Sequence, residues 1–176
     1  MKSIILASAF ALLGTTVSCF DYKTQCDSRW GSNMLGDSQN TTICQMGGAV
    51  TSLAMLLDDC DQDLYDFDVN PGSLNRWLRD NDCFNNGIQI QWGCTDRLSN
   101  GVKFVTIATN QDTIRNYLDV GDAALLRVTD EPHYVLGYGY TGSTYYVLDP
   151  RGQRRSYKTS EVIGAVIYTR PYWCKN

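Results

Sequence analysis

Six cysteines, Cys26, Cys44, Cys60, Cys83, Cys94 and Cys174, run through almost the whole of a 176-residue chain. An even set of this kind reads as three disulfides formed in an oxidising compartment. Six cysteines allow fifteen pairings, and the sequence does not choose among them. The seventh cysteine, Cys19, closes the opening segment "MKSIILASAFALLGTTVSC", which carries Lys2, an apolar run and then small residues. That layout reads as a secretory signal peptide over residues 1–19 and is too short for a useful membrane span. A lipidated Cys19 would want a branched aliphatic residue where Thr16 stands. The expected product is secreted, or held in the lumen of a secretory or lysosomal compartment.

Residues 20–176 are one domain's worth of sequence, with no repeat, low-complexity tract or linker. The whole chain has 15 basic and 19 acidic residues; loss of Lys2 with the leader leaves 14 against 19, a charge of −5. This mild acidity gives no basic patch for nucleic acid. No membrane association is expected once the leader is removed, and the chain is expected to be a monomer. Asn40-Thr41-Thr42 is the one N-glycosylation sequon and reads as an exposed loop.

The hydrophobic pattern divides the domain. The stretch "YKTQCDSRWGSNMLGDSQNTT" is polar and turn-rich. From Gly48 onward Val50, Leu53, Ala54 and Leu57 recur at helical spacing. "DDCDQDLYDFDVN" reads as an acidic loop. Asn70 then caps a helix with Pro71 at its first position and Leu74, Trp77 and Leu78 inward. In the second half, "VKFVTIA" reads as a strand. "QDTIRNYLDV" reads as a short helix capped by Asn110 and stopped by Gly121. "AALLRV", "HYVLGYGY", "TYYVLD" and "AVIYTR" read as strands, with a hairpin turn at 140–144. Helices first and an antiparallel sheet second make an α+β layout in which a helix packs on a curled sheet.

This division suits cysteine hydrolysis, in which a thiolate sits at a helix N-terminus, a strand histidine moves the proton and a carboxylate orients that histidine. His133, the single histidine, opens "HYVLGYGY"; Asp149 ends "YYVLDP" one hairpin away. An antiparallel pair joined by a short turn brings the two to one end of the sheet.

In "YKTQCDSRWGSNMLG", "TICQMGGAVTSLAML", "NPGSLNRWLRDNDCF", "HYVLGYGYTGSTYYVLDP" and "AVIYTR" the chain resembles the peptidase C39-like family, papain-fold proteins related to bacteriocin-processing peptidases. The resemblance covers nearly the full length after the leader. It implies a papain-like fold, thiol-dependent cleavage of peptide or related amide bonds, His133 as the base and Asp149 as its orienting carboxylate. It also implies an oxyanion-hole glutamine at Gln25, with Gln45 as the second choice. The family pattern has a Gly-Cys step at the head of the first helix. Here Gly47 matches, and Gly48 falls where the nucleophilic cysteine belongs.

Glycine cannot attack a carbonyl. Cys44 is the only thiol nearby, four positions upstream and expected before the helix begins; as a free nucleophile it would leave five cysteines and one unpaired. Ser52 lies about one turn into the helix, facing away from any base. The leading expectation is therefore a peptide-binding pseudopeptidase. The alternatives are an active cysteine peptidase, through Cys44 or through a cysteine standing where this chain has Gly48, and a non-catalytic extracellular structural or adhesion module. The expected partner is a peptide or protein in the cleft. No cofactor or metal is expected: the acidic run lacks the glycine and terminal glutamate of an EF-hand loop, and one histidine with bridged cysteines makes no zinc site. The four tryptophans read as packing residues, although Trp30 and Trp92 lie in turn-rich segments from which either could line a cleft.

Overall fold

A computed structural model describes residues 20–98, 101–129 and 133–174. The leader at 1–19, with Cys19, and the Glu131-Pro132 step before His133 lie outside the described residues. Among the described residues, no helix is long and apolar enough to cross a membrane.

The elements follow in the order α1 (Ile43–Met46), α2 (Gly48–Asp59), β1 (Asp63–Leu64), β2 (Phe67–Asp68), α3 (Pro71–Asp80), β3 (Phe84–Asn85), β4 (Gln89–Ile90), β5 (Phe104–Ala108), α4 (Gln111–Asp119), β6 (Ala123–Val128), β7 (His133–Thr141), β8 (Thr144–Leu148), β9 (Ser156–Lys158) and β10 (Val162–Tyr168). A 3-10 turn at Trp92–Arg97 follows β4. A six-stranded antiparallel sheet has the order β5-β10-β6-β7-β8-β9. The fold is thus mixed α+β, with helices first and sheet second.

Local chemistry sets most of these boundaries. The Asn70 side chain accepts from the N–H groups of Gly72 and Ser73, and Pro71 opens α3 where its missing N–H has no partner to lose. Asn110 caps α4 in the same way, and Gly121, at φ +88°, takes the left-handed conformation just past its end. The β7–β8 turn is tight, with Thr141 paired to Thr144 and Gly142 at φ +56° between them.

Three corrections to the sequence reading emerge. The acidic run is not all loop, because β1 and β2 pair within it as a short hairpin. Cys44 does precede α2, but not in a loop: it lies in α1, a single turn capped by Thr42 and too short to carry a periodic signal. The sheet is covered on both faces. Leu125, Leu136, Val166 and Tyr168 join the core under α2 and α3, while their neighbours Ala124, Leu126, Val135, Ala165 and Ile167 join a second core with Ile114 of α4. This two-sided burial is why "AALL" in β6 is a continuous apolar run and not an alternation. Helix α2 is buried at every position except Ala49, so most of its stability comes from packing, about 1.5–3 kcal/mol for each large side chain removed from water.

The cysteines form three bridges: Cys26–Cys44, Cys60–Cys174 and Cys83–Cys94. The last two are buried in the α2–α3 core, whereas Cys26 is exposed and Cys44 half-buried. Three disulfides accord with formation in an oxidising compartment.

Candidate functional site

The site lies where the head of α2 meets the start of β7. In the β7–β8 pair Leu136 stands opposite Leu148, so the next step of the chain carries Asp149 towards the His133 end. His133 Nε2 lies 2.7 Å from Asp149 Oδ1, with both residues buried at 3% and 2% exposure. An ionised carboxylate only accepts hydrogen bonds, so Nε2 carries a proton and, in the neutral imidazole, Nδ1 presents a lone pair. That nitrogen faces Gly48.

Asp149 is held by several donors. Arg151 N–H reaches Oδ1 at 2.9 Å, and Arg154 N–H and the Tyr157 hydroxyl reach Oδ2 at 3.3 Å each. Burial pushes the Asp149 carboxyl up, but the bonds from His133 and from the backbone of Arg151 and Arg154 outweigh it and leave the pKa below the ordinary carboxylate value. The N-terminal segment clamps the same turn from outside: Tyr22 Oη donates to Asp149 O, and Thr24 Oγ1 and the Gln25 N–H both donate to Pro150 O.

The helix side differs. Gly47 and Gly48 join α1 to α2, and both are made necessary by close approach. A Cβ on Gly47 would come 2.6 Å from Ile43 Cγ2. A Cβ on Gly48 would come 2.5 Å from His133 Nδ1 and 2.8 Å from Cε1, closer than real Cβ atoms stand. The imidazole lies where a side chain on Gly48 would project. Cys44 Sγ is bonded to Cys26, so the fallback nucleophile is a disulfide sulfur and not a thiol. Ser52 Oγ is buried and donates to Tyr134 O at 3.1 Å.

Gln25 is 2% exposed, with Nε2 donating to Cys44 O at 2.6 Å and Oε1 without a hydrogen-bond partner among the described residues. Its place beside the Cys26–Cys44 bridge ties it to α1. Gln45 is exposed, and its Oε1 accepts from Thr42 N–H at 2.8 Å as part of the α1 capping box, so that second choice for the oxyanion donor is a helix cap. Asn40 is exposed, as a glycosylation acceptor must be. Among the described residues the one cluster with metal-ligand chemistry is Asp59, Cys60 and Cys174, but its two sulfurs form a bridge and Asp59 pairs with Arg170 at 2.7 Å.

A cavity of about 570 Å³ opens beside the dyad, within the size range of ligand pockets. Met46 from the end of α1 and Ala49 from the head of α2 line it, Arg127 and Tyr134 line it from the sheet, and Ile88, Ile90 and Trp92 from a wall that the Cys83–Cys94 bridge holds in place. Trp92 thus lines a cleft, with its ring 5.3 Å from that of Tyr134. Trp30 does not: it is 4% exposed, and its Nε1 donates to Thr24 O. Apart from Trp92, sequence reasoning misses this cavity. Compared with protein-family models, with curated proteins and with solved structures, the chain matches none.

Proposed function

We propose that the chain is a secreted, papain-like domain of the C39-like peptidase kind that binds peptides in the cleft beside its dyad and does not cleave them. The observation that carries this reading is the aim of the dyad: Asp149 holds His133 with Nδ1 towards the head of α2, the place and direction a cysteine hydrolase requires, and the residue there is Gly48. A histidine–carboxylate pair with no nucleophile leaves only the weak catalysis that binding and oxyanion donors supply. With Cys44 bridged, the described residues offer no thiol in its stead.

Burial of both dyad residues favours a second reading, in which the pair only fastens β7 to the turn after β8 in a structural module. Thiol chemistry separates the two. In Gly48→Cys the imidazole must retreat to admit the new side chain, and Nδ1 then lies against the sulfur. The introduced thiol should react with iodoacetamide at pH 6, where an ordinary thiol near ~8.5 is almost wholly protonated. The rate should be at least about tenfold above that of Gly48→Cys/His133→Ala, since a paired imidazole lowers a thiol pKa by more than one unit. Equal rates in the two folded variants would reject the peptidase-derived reading and leave the structural one.

A further inference from the structure

Arg127 gives the cavity beside the dyad a chemical preference. On β6 it stands between Gly164 of β10, which offers no side chain, and Tyr134 of β7, which lines the same cavity. Among the described residues, no carboxylate lines the cavity. No ion pair among the described residues engages Arg127. A guanidinium with no ion pair among the described residues is unusual company for an apolar wall. Around it stand Trp92, Ile88, Ile90 and Met46, and Asn86 and Gln89 complete the rim. Burial raises the Tyr134 phenol, and the nearby Arg127 charge opposes that rise, so the two groups already sense one another.

We propose that this cavity selects a peptide carrying a bulky apolar side chain next to an aspartate or glutamate. The apolar side chain packs on Trp92 and Tyr134, and the acidic side chain meets Arg127, whose planar fork matches a carboxylate. This deepens the peptide-binding reading and rests on it. The charge complementarity is local: with a screening length of about 8 Å at physiological salt, the acids elsewhere on the chain weigh little against a guanidinium at contact.

Fluorescein-labelled hexapeptides capped at the C-terminus, with central Phe-Asp, Phe-Lys, Phe-Gln or Gly-Asp pairs in a glycine background, test this by anisotropy on the full disulfide-bonded protein. Phe-Asp should bind about tenfold or more tighter than Phe-Lys or Gly-Asp, the margin expected of a charged hydrogen bond in a partly desolvated pocket. The advantage should vanish in Arg127→Gln and partly survive in Arg127→Lys; the position is exposed, so both variants should fold. Equal binding of Phe-Asp and Phe-Lys, or an unchanged preference in Arg127→Gln, overturns the acidic selectivity while peptide binding stands. A preference that appears only with an uncapped C-terminal carboxylate overturns the side-chain assignment. Failure of every peptide to bind overturns the peptide-binding reading itself.

Discussion

On the strand side of the site, Asp149 gathers bonds from His133, two backbone N–H groups and Tyr157; on the helix side, Gly48 brings no side chain and the imidazole lies close against it. The two sides are also fastened differently. Hydrogen bonds hold the strand side, and an exposed disulfide through Cys44 holds α1, the turn that leads into Gly48. The contrast teaches that a dense hydrogen-bond network around a histidine can stand beside a position that has no reactive group.

The sharpest way to break the contrast is to remove the strand network. Asp149→Ala strips the buried imidazole and two N–H groups of their acceptor and should destabilise the protein by about 3–5 kcal/mol in urea unfolding. Asp149→Asn keeps an acceptor for the backbone and should lose less. A loss below about 1 kcal/mol for the alanine variant would mean that the network does not anchor β7 to the turn after β8.

The helix side should respond to thiols instead. A mild reductant on the native protein should open Cys26–Cys44 alone, because the other two bridges are buried. Alkylation and peptide mapping locate the freed cysteines. By loop-closure entropy, opening this bridge should lower stability by about 3 kcal/mol.

Next in size is Gly48→Ala. Its Cβ must displace His133, and overpacking of this kind destabilises by about 1–3 kcal/mol although alanine is the better helix former. In a His133→Ala background the same substitution should be neutral or stabilising. The coupling energy of that double-mutant cycle measures the contact between the two sides.

The mildest probe is pH. Because the folded Asp149 pKa is depressed, the stability it contributes is complete above the unfolded carboxylate value near ~3.9 and fades as pH falls through that value towards the folded one. Urea midpoints measured from pH 6 down to pH 3 should fall more steeply for the natural chain than for Asp149→Asn.

How far the sequence revealed all this depended on periodicity. Helices α2 and α3, the hairpin of β7 and β8 and the meeting of His133 with Asp149 could be anticipated, because each rests on a long pattern or a short connection. Helix α1 could not, since four residues carry no period, and its only signal was Thr42 three residues before Gln45. The second core was missed because "AALL" has the same composition whether one face or two are covered. The cavity was missed because Met46, Ile88, Arg127 and Tyr134 come from separate segments, and Arg127 alone reads as an ordinary outward strand residue. Nor did sequence indicate that the imidazole would close on Gly48, because a glycine in a helical pattern says nothing of what fills the space beside it.

The central claim, a dyad aimed at a vacant helix head, is open to one measurement without any mutation. His133 is the only histidine, so its ring nitrogens are the only imidazole signals in a ¹⁵N-labelled sample. Long-range ¹H–¹⁵N correlation spectra across a pH titration report the tautomer directly. The account predicts that the neutral ring carries its proton on Nε2, seen as a slowly exchanging, strongly deshielded N–H bonded to Asp149, with Nδ1 bare towards Gly48. A proton on Nδ1, or a ring averaging freely between tautomers, would contradict it.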